Sequence, residues 1–346
     1  MRILLGISGG LDSAYAAKKL IAEGHEVEGA ILALHPYAEI ESAREAARQI
    51  GIPLHEIDGR ERFRALVQKE FASEYLRGRT PNPCVICNRT VKLPLLYEYA
   101  MANGFDRIAT GHYAFVKEEN GRYAIAMGRD ASRDQSYVLW PLSQEILSRL
   151  CLPLADMEKE DIRTAAREEG LSVADRKESR EICFIPDGDY AGFIRDFAGI
   201  PAKEGDFVDE NGKVLGRHAG ILNYTVGQRK GLGISLGKRM FVTAISAENN
   251  TVTLSDDPNV TVSEFFIESA VFSGLCEPAQ GEVLAAQARV RYQSPLRTAQ
   301  VTYLGQGRAH VMLSEPARAV TPGQSAVFYK DGTVLFGGII ADIAKA

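Results

Sequence analysis

The spacing of apolar residues changes period near residue 195, and this change constrains the fold more than any other feature of the chain. Before it, short apolar runs alternate with amphipathic segments of helical length. Arg2–Ser8 and Val27–Leu34 are apolar runs. Asp12–Glu23 reads as a helix stopped at Gly24, Ile40–Ile50 as a second helix and Pro53–Ile57 as a short strand. Helices over 63–76 and 92–103 and a strand over 107–110 continue the alternation. Strands separated by such helices predict a parallel sheet with right-handed crossovers and ligands at its carboxyl edge. After residue 195 the helical period fades. Turn pairs such as Asn211-Gly212 and Asn249-Asn250 multiply, and short strands are predicted at 241–246, 251–255, 283–292, 298–304, 309–313, 326–329 and 334–340. Short strands at such spacing suggest a small closed barrel. The expected fold is therefore α/β: a Rossmann-like parallel-sheet domain over 1–195, a small central domain over 196–260 and a C-terminal β-barrel over 261–346.

Composition narrows the class of function. With 40 Lys+Arg against 45 Asp+Glu the net charge is −5, which excludes a globally basic coat protein. No apolar run approaches the ~20 residues of a membrane span. The N-terminus enters a motif at once, without the pattern of a signal peptide, so a cytoplasmic location and no membrane partner are expected. Five cysteines, at 84, 87, 151, 183 and 276, form a sparse, odd set that fits a reducing compartment. Three stretches nonetheless contain no acid: 77–92, 213–247 and 283–314. Such stretches suit a phosphate-backbone partner, because each cation that neutralises a phosphate releases a condensed counterion; solvated faces are the plainer explanation for any one of them.

Three motifs carry chemistry. Gly6-Ile7-Ser8-Gly9-Gly10-Leu11-Asp12-Ser13 joins the first strand to the first helix. Its glycines let backbone approach an anion, and the helix N-terminus supplies N–H groups and a positive dipole. No Gly-Lys-Ser/Thr follows, so it is not a Walker loop. Thr110-Gly111-His112 closes a later strand at the same expected edge. Asn82-Pro83-Cys84-Val85-Ile86-Cys87 places two thiols at a helix start near Arg77, Arg79, Arg89 and Lys92. Cations and a helix N-terminus lower a thiol pKa, so reactive thiolates are expected there. A zinc ribbon would need a second ligand pair, which the chain lacks. Cys183, between Ile182 and Phe184 and after the charged run 175–180, reads by composition as a buried strand residue.

Together these segments resemble the tRNA-specific 2-thiouridylases, a family within the PP-loop N-type ATP pyrophosphatases. The resemblance runs end to end, through Gly6–Ser13, Gly78–Pro83 with Cys87-Asn88, Thr110–Tyr113, Asp134–Tyr137, Ile182–Ile185, Thr225–Ile234 and Thr321–Ala326. It implies a PP-loop domain, a central domain and a C-terminal barrel. It implies ATP-dependent 2-thiolation of the wobble uridine of tRNA, with release of AMP and pyrophosphate. It assigns ATP contacts to Gly6–Ser13, Leu32 and Gly111, and Mg²⁺ organisation through pyrophosphate to Asp12. Cys87 is implied as nucleophile, and Cys183 as persulfide carrier and disulfide partner, on a loop that would close over the site. Asn82, Pro83, His112, Arg133, Asp134, Gln135, Arg229, Arg291, Tyr292 and Gln324 are expected to contact the anticodon stem-loop, Arg229 from its place in an acid-free stretch and the rest by family position. The sulfur source would be a persulfide donor, such as a cysteine desulfurase or relay protein, or inorganic sulfide.

Two departures stand out. Cys84 occupies the position where the family usually carries an aspartate, and the chain is shorter than the family pattern after Leu34. Cys84, Cys87 and Cys183 could then ligate a [4Fe–4S] cluster with one open iron, or Cys87 and Cys183 could run persulfide chemistry with Cys84 a spectator, and the residues leave both open. The rival functions are an amidating PP-loop ligase, which would need neither Cys87 nor Cys183, and a non-catalytic RNA-binding relative.

Overall fold

The computed structural model describes residues 1–175, 181–257 and 261–343; the charged run at 176–180 and the boundary near 260 lie outside them. The N-terminal half opens with β1 (Arg2–Gly6), α1 (Leu11–Ala22), β2 (Glu26–Ala33), α2 (Ile40–Ile50) and β3 (Leu54–Asp58). A helical rod follows: α3 (Arg60–Phe63), a π turn and α4 (Lys69–Leu76). A second rod comprises α5 (Pro83–Cys87), a π turn over Asn88–Lys92 and α6 (Leu93–Ala102). Then come β4 (Arg107–Ala109), a hairpin of β5 (Ala114–Glu119) and β6 (Arg122–Met127), α7 (Ser136–Leu139), α8 (Gln144–Arg149), β7 (Leu150–Cys151), α9 (Lys159–Glu168) and α10 (Tyr190–Ala198).

The sheet β3-β2-β1-β4-β7 is parallel throughout, as the alternation predicts. Ile3, Leu4 and Leu5 of β1 are fully buried, which is why that strand is a continuous apolar run rather than an alternating one. α1 packs closely because Ala14, Ala16 and Ala17 are fully buried.

The central unit is a four-stranded sheet of β8 (Gly205–Val208), β9 (Val214–His218), β10 (Phe241–Ser246) and β11 (Thr251–Ser255), in the order β10-β11-β8-β9. The last part contains β12 (Thr261–Phe272), β13 (Val283–Arg289), β14 (Arg297–Gly305), β15 (Arg308–Arg318), β16 (Ser325–Lys330) and β17 (Thr333–Ile343). Pairing of β12 with both β15 and β17 closes these six strands into a barrel, which removes free edges. Its core includes the stacked pair Phe328 and Phe336, 4.4 Å between ring centroids.

Apolar period alone did not show the β5–β6 hairpin, nor that it joins β17 through Thr333 and Ala126. One apolar cluster runs from Tyr137 and Trp140 to Val327, Tyr329 and Val334 of the barrel. Polar bonds seal this seam: Tyr137 donates to the Ser325 carbonyl (2.8 Å), Trp140 Nε1 to Ser325 Oγ (3.1 Å), and Arg289 to Asp134 (2.7 Å). The barrel is thereby fixed against the edge of the N-terminal half that carries the motifs. No helix among the described residues is long and apolar enough to cross a membrane.

Candidate active site

Gly6–Ser13 turns from β1 into α1 at the carboxyl edge of the parallel sheet. Gly9 has φ +77°, and a Cβ there would lie 2.7 Å from Ser42 Cβ, so both conformation and space require glycine. The loop is held internally: the Ser8 N–H donates to Ser13 Oγ (3.1 Å), and Ser13 Oγ donates to the Gly10 carbonyl (3.1 Å). Gly10, the N-cap of α1, supplies no side-chain cap, which leaves the helix terminus suited to an anion. A Cβ on Gly111 would lie 2.9 Å from the Asp12 carbonyl carbon, so Gly111 permits close packing on the loop itself. Leu32 is half-buried near the end of β2.

Asp12 has two partners that sequence pattern did not single out. Its Oδ1 accepts from Lys159 Nζ (2.6 Å) and from the Tyr113 hydroxyl (2.5 Å). Lys159, the first residue of α9, is 4% exposed. In sequence it stands among Glu158, Glu160 and Asp161 and looks like an ordinary solvated cation, so nothing there signals burial.

The second pole of the site is sulfur. Asn82 caps α5, its Oδ1 accepting from the N–H groups of Cys84 (3.1 Å) and Val85 (3.4 Å), and Pro83 is buried at the first helical position. Cys84 and Cys87 are thus fixed one turn apart. Cys183 is brought to them by its neighbour: Phe184 is 4% exposed and packs on Phe63 and Phe71, in a cluster that Cys87 also joins. Phe184 and Ile185 are buried while Cys183 stays exposed on a turn, so this segment is already docked and Cys183 is not the buried strand residue its composition suggested.

The thiols are not acidic in this state, contrary to expectation. Burial pushes Cys87 up to about 12, against the lowering effect of Lys92 and with Cys183 and Cys84 raising it further. Burial, then Cys84, raises Cys183 to about 11; burial also raises Cys84, opposed by Lys92. Cys84 and Cys183 nevertheless expose surface. Desolvation outweighs the helix terminus and nearby cations there. His112, also beside Lys92, is held well below its ordinary range by burial, and its Nδ1 lies 2.8 Å from Thr110 Oγ1.

The residues expected at RNA are distributed unevenly. Asp134 is buried and holds Arg289, the N–H groups of Gly128 and Ser136, and the Ser136 hydroxyl. Gln135 exchanges bonds with the Tyr113 backbone, and Arg133 is half-buried beside it. Arg291 donates to the Val226 carbonyl (3.1 Å) and Thr321 Oγ1 (3.0 Å), and Gln324 to the Thr80 carbonyl (2.7 Å). His112 and Pro83 are buried. Tyr292 lies with Asp134 and Arg289 on a cavity of about 330 Å³ between the 130–135 loop and the barrel. Arg229 is exposed and lines a second cavity, of about 560 Å³, with Lys238 and Arg239. Stretches without acids in sequence are partly neutralised in space: Arg79 pairs with Glu74 and Glu268, Lys238 with Asp256, and Arg297 with Glu315.

Comparison with known proteins places this geometry. Residues 1–187 match a family model described as a tRNA methyl transferase HUP domain, 193–256 its PRC-barrel domain and 263–340 an aminomethyltransferase beta-barrel domain. The tRNA-specific 2-thiouridylase MnmA of Clostridium acetobutylicum is 42% identical over 354 aligned residues, covering 97% of this chain and 98% of that one. The chain belongs to the tRNA-specific 2-thiouridylase family. MnmA of Carboxydothermus hydrogenoformans is 41% identical, over 98% of this chain and 97% of its own. Among solved structures, a 4-thiouridine synthetase–RNA complex with bound ATP aligns at 18% identity and TM-score 0.38, over 57% of this chain and 50% of that one.

For a thiouridylase, the fit of each implied group follows from the donors present. The uncapped glycine turn and Asp12 fit a nucleotide's phosphates with a divalent cation. An iron–sulfur cluster does not fit: among the described residues no group of three or more His, Cys, Asp or Glu is arranged to hold a metal ion. Cys84, Cys87 and Cys183 feel one another's charge without forming a ligand set.

Proposed function

We propose that this chain is an ATP-dependent tRNA sulfurtransferase that replaces the C2 oxygen of the wobble uridine (position 34) with sulfur. The observation that carries the reading is the glycine turn at the sheet's carboxyl edge with Asp12 held by Lys159 and Tyr113, in a chain 42% identical along nearly its whole length to a tRNA-specific 2-thiouridylase.

The C2 carbonyl oxygen attacks the α-phosphorus of ATP, giving an adenylated base and pyrophosphate. Gly6–Ser13 would hold the departing charge with preorganised N–H donors. Asp12 would hold a magnesium ion, which when bound would supply charge neutralisation for the departing pyrophosphate. Cys183 would carry a persulfide whose outer sulfur is passed from the persulfide of a donor protein, the donor's thiolate leaving; inorganic sulfide would instead displace AMP directly. The Cys87 thiolate attacks Cys183 Sγ, which releases hydrosulfide and forms the Cys87–Cys183 disulfide. Hydrosulfide displaces AMP from C2, and a dithiol reductant restores the two thiols. The target base would be flipped into the cleft.

The division of labour we infer is adenylation and sulfur transfer in 1–195, a central unit in 196–260 and tRNA contact by 261–346, acting in the cytoplasm on the anticodon stem-loop. Leu32 and Gly111 would border the nucleotide. Arg133, Arg229, Arg291, Tyr292 and Gln324 would face RNA, with Asn82, Pro83, His112, Asp134 and Gln135 shaping the surface behind them. The test is mass analysis of wobble uridines from cells lacking the protein. Loss of 2-thiouridine, restored by the parent chain but not by Cys87→Ser or Cys183→Ser, is expected; normal 2-thiouridine would overturn the reading.

A further inference from the structure

The segment 130–135 is tied at both ends to the residues that hold Asp12. At its first end, Asp130 Oδ1 accepts from the Ser132 N–H (3.0 Å) and the Ser132 hydroxyl (2.6 Å), and the Asp130 carbonyl accepts from the Arg133 N–H (3.0 Å). Asp130 Oδ2 accepts from the backbone N–H of Lys159 (3.3 Å). At its second end, the Gln135 N–H donates to the Tyr113 carbonyl (2.9 Å), and Gln135 Oε1 accepts from the Tyr113 N–H (3.0 Å). Lys159 and Tyr113 are the two residues whose side chains meet at Asp12 Oδ1. Both donors to one carboxylate oxygen of the nucleotide loop are thus anchored on the two ends of a single short segment. Lys159 and Tyr113 are buried, with the ammonium 5.9 Å from the Tyr113 ring centroid. Neither can leave Asp12 without stranding a buried charge or hydroxyl, so displacement of either end of the segment is carried to the carboxylate. The same segment, through Ala131, Ser132 and Asp134, lines the cavity of about 330 Å³ that Tyr292 shares.

We propose that Asp130 and Gln135 are positioning residues that tie RNA binding at the 130–135 segment to the placement of Asp12, so that tRNA and magnesium–ATP strengthen each other's binding. RNA seated against Arg133 and the cavity restrains the segment. The segment restrains Lys159 and Tyr113, and these restrain the Asp12 carboxylate. The nucleotide then has less freedom to remove from its own site. Thermodynamic linkage makes the effect reciprocal, so bound nucleotide tightens RNA by the same factor. For the reaction this means that the phosphate site is best defined when the base to be adenylated is present, which disfavours attack on ATP by water in its absence. The inference rests on the reading of Gly6–Ser13 as the ATP site and of the 130–135 segment as RNA-facing.

The test measures two affinities of the full-length protein by equilibrium titration. One is for α,β-methylene ATP with Mg²⁺, an analogue that cannot release pyrophosphate, with and without saturating anticodon stem-loop RNA. The other is for the RNA with and without the analogue. In the parent each ligand is expected to tighten the other by the same factor, about fivefold or more. Asp130→Ala and Gln135→Ala should each lower that factor, and the double variant should bring it close to one. Tyr113→Phe removes only the hydroxyl that meets Asp12 and keeps the two bonds to Gln135 that Tyr113 makes through its backbone. It should lower the factor too, and no further when combined with Gln135→Ala, because the two lie on one arm. A residue with a structural role alone would weaken binding or stability and leave the factor as it was. A factor of one in the parent overturns the proposal, as does the full parental factor in the three single variants. Where Asp130→Ala or Gln135→Ala does not fold, Tyr113→Phe decides by the same criterion. RNA or analogue that fails to bind the parent overturns the functional reading together with this inference, whereas independent binding of both overturns the inference alone.

Discussion

The side-chain amide of Gln324 donates to the carbonyl of Thr80 at 2.7 Å, and the Thr80 N–H donates to the Pro322 carbonyl at 2.9 Å. A turn of the barrel thus grips the segment that leads, three residues later, into the capped helix of Cys84 and Cys87. Gly323, at φ +90°, sits so close that a Cβ would lie 3.0 Å from Thr80 backbone atoms. The barrel, expected to reach for RNA, also sets the position of the thiols.

Gly323→Ala should therefore misplace chemistry from a distance. Strain at that φ and the contact with Thr80 are expected to cost about 1–3 kcal/mol, measured by denaturant unfolding. Thiolation should fall by more than ATP–pyrophosphate exchange does, because the contact is with the segment that leads to the thiols and not with the nucleotide loop. A parallel loss of both activities would show that the contact supports only global stability.

Asp12 leads to a prediction about the nucleotide. Asp12→Ala should reduce tRNA-dependent AMP formation by about 10²-fold or more, the scale for losing one preorganised electrostatic group, and leave tRNA affinity nearly intact. Lys159→Met should reduce AMP formation in the same direction, since Lys159 and Tyr113 hold the Asp12 carboxylate in place. Near-normal AMP formation in Asp12→Ala would remove Gly6–Ser13 from the reaction.

The parallel sheet and the barrel were legible in the sequence because both follow from apolar period, and the glycine turn was legible because its residue types have few other uses. What escaped depends on distance in space. Lys159 lies 147 residues from the aspartate it pairs with. Arg289 looked like part of a free basic stretch until Asp134, far away in sequence, took up its charge. The thiols were misjudged for a related reason: the cations near Cys84 and Cys87 are visible in sequence, whereas the burial that raises both thiols is not.

Charge reversal distinguishes two kinds of arginine. Arg229 is exposed and has no ion-pair partner among the described residues. Arg229→Glu should weaken tRNA binding and lower the slope of log affinity against log salt by about one, with little change in stability. Arg291→Glu should also destabilise the joint between the central unit and the barrel, because Arg291 holds Val226 and Thr321. Binding titrations at several salt concentrations, alongside thermal unfolding, check both; an unchanged slope in Arg229→Glu would return that stretch to an ordinary solvated face.

Acid sensitivity provides the last prediction. Burial holds His112 well below its ordinary range, with Lys92 adding to the effect, and burial lowers His35 and His218 as well. A histidine with a lowered folded pKa binds its proton more readily when unfolded. Its neutral form supports the fold fully above the unfolded value near 6.5, and that support declines as pH falls below it. Each such histidine contributes a slope of up to ~1.4 kcal/mol per pH unit between the two values. Carboxylates with lowered pKa, such as Glu28 and Asp130, act below about pH 4.5, so the interval from pH 6.5 to 5 belongs to the histidines. Denaturant unfolding across that interval should show stability falling with pH, and His112→Gln should remove one histidine's share of the slope. An unaltered slope in His112→Gln would mean that His112 accepts its proton within the folded cleft, and would overturn its assignment as a buried neutral group beside Lys92.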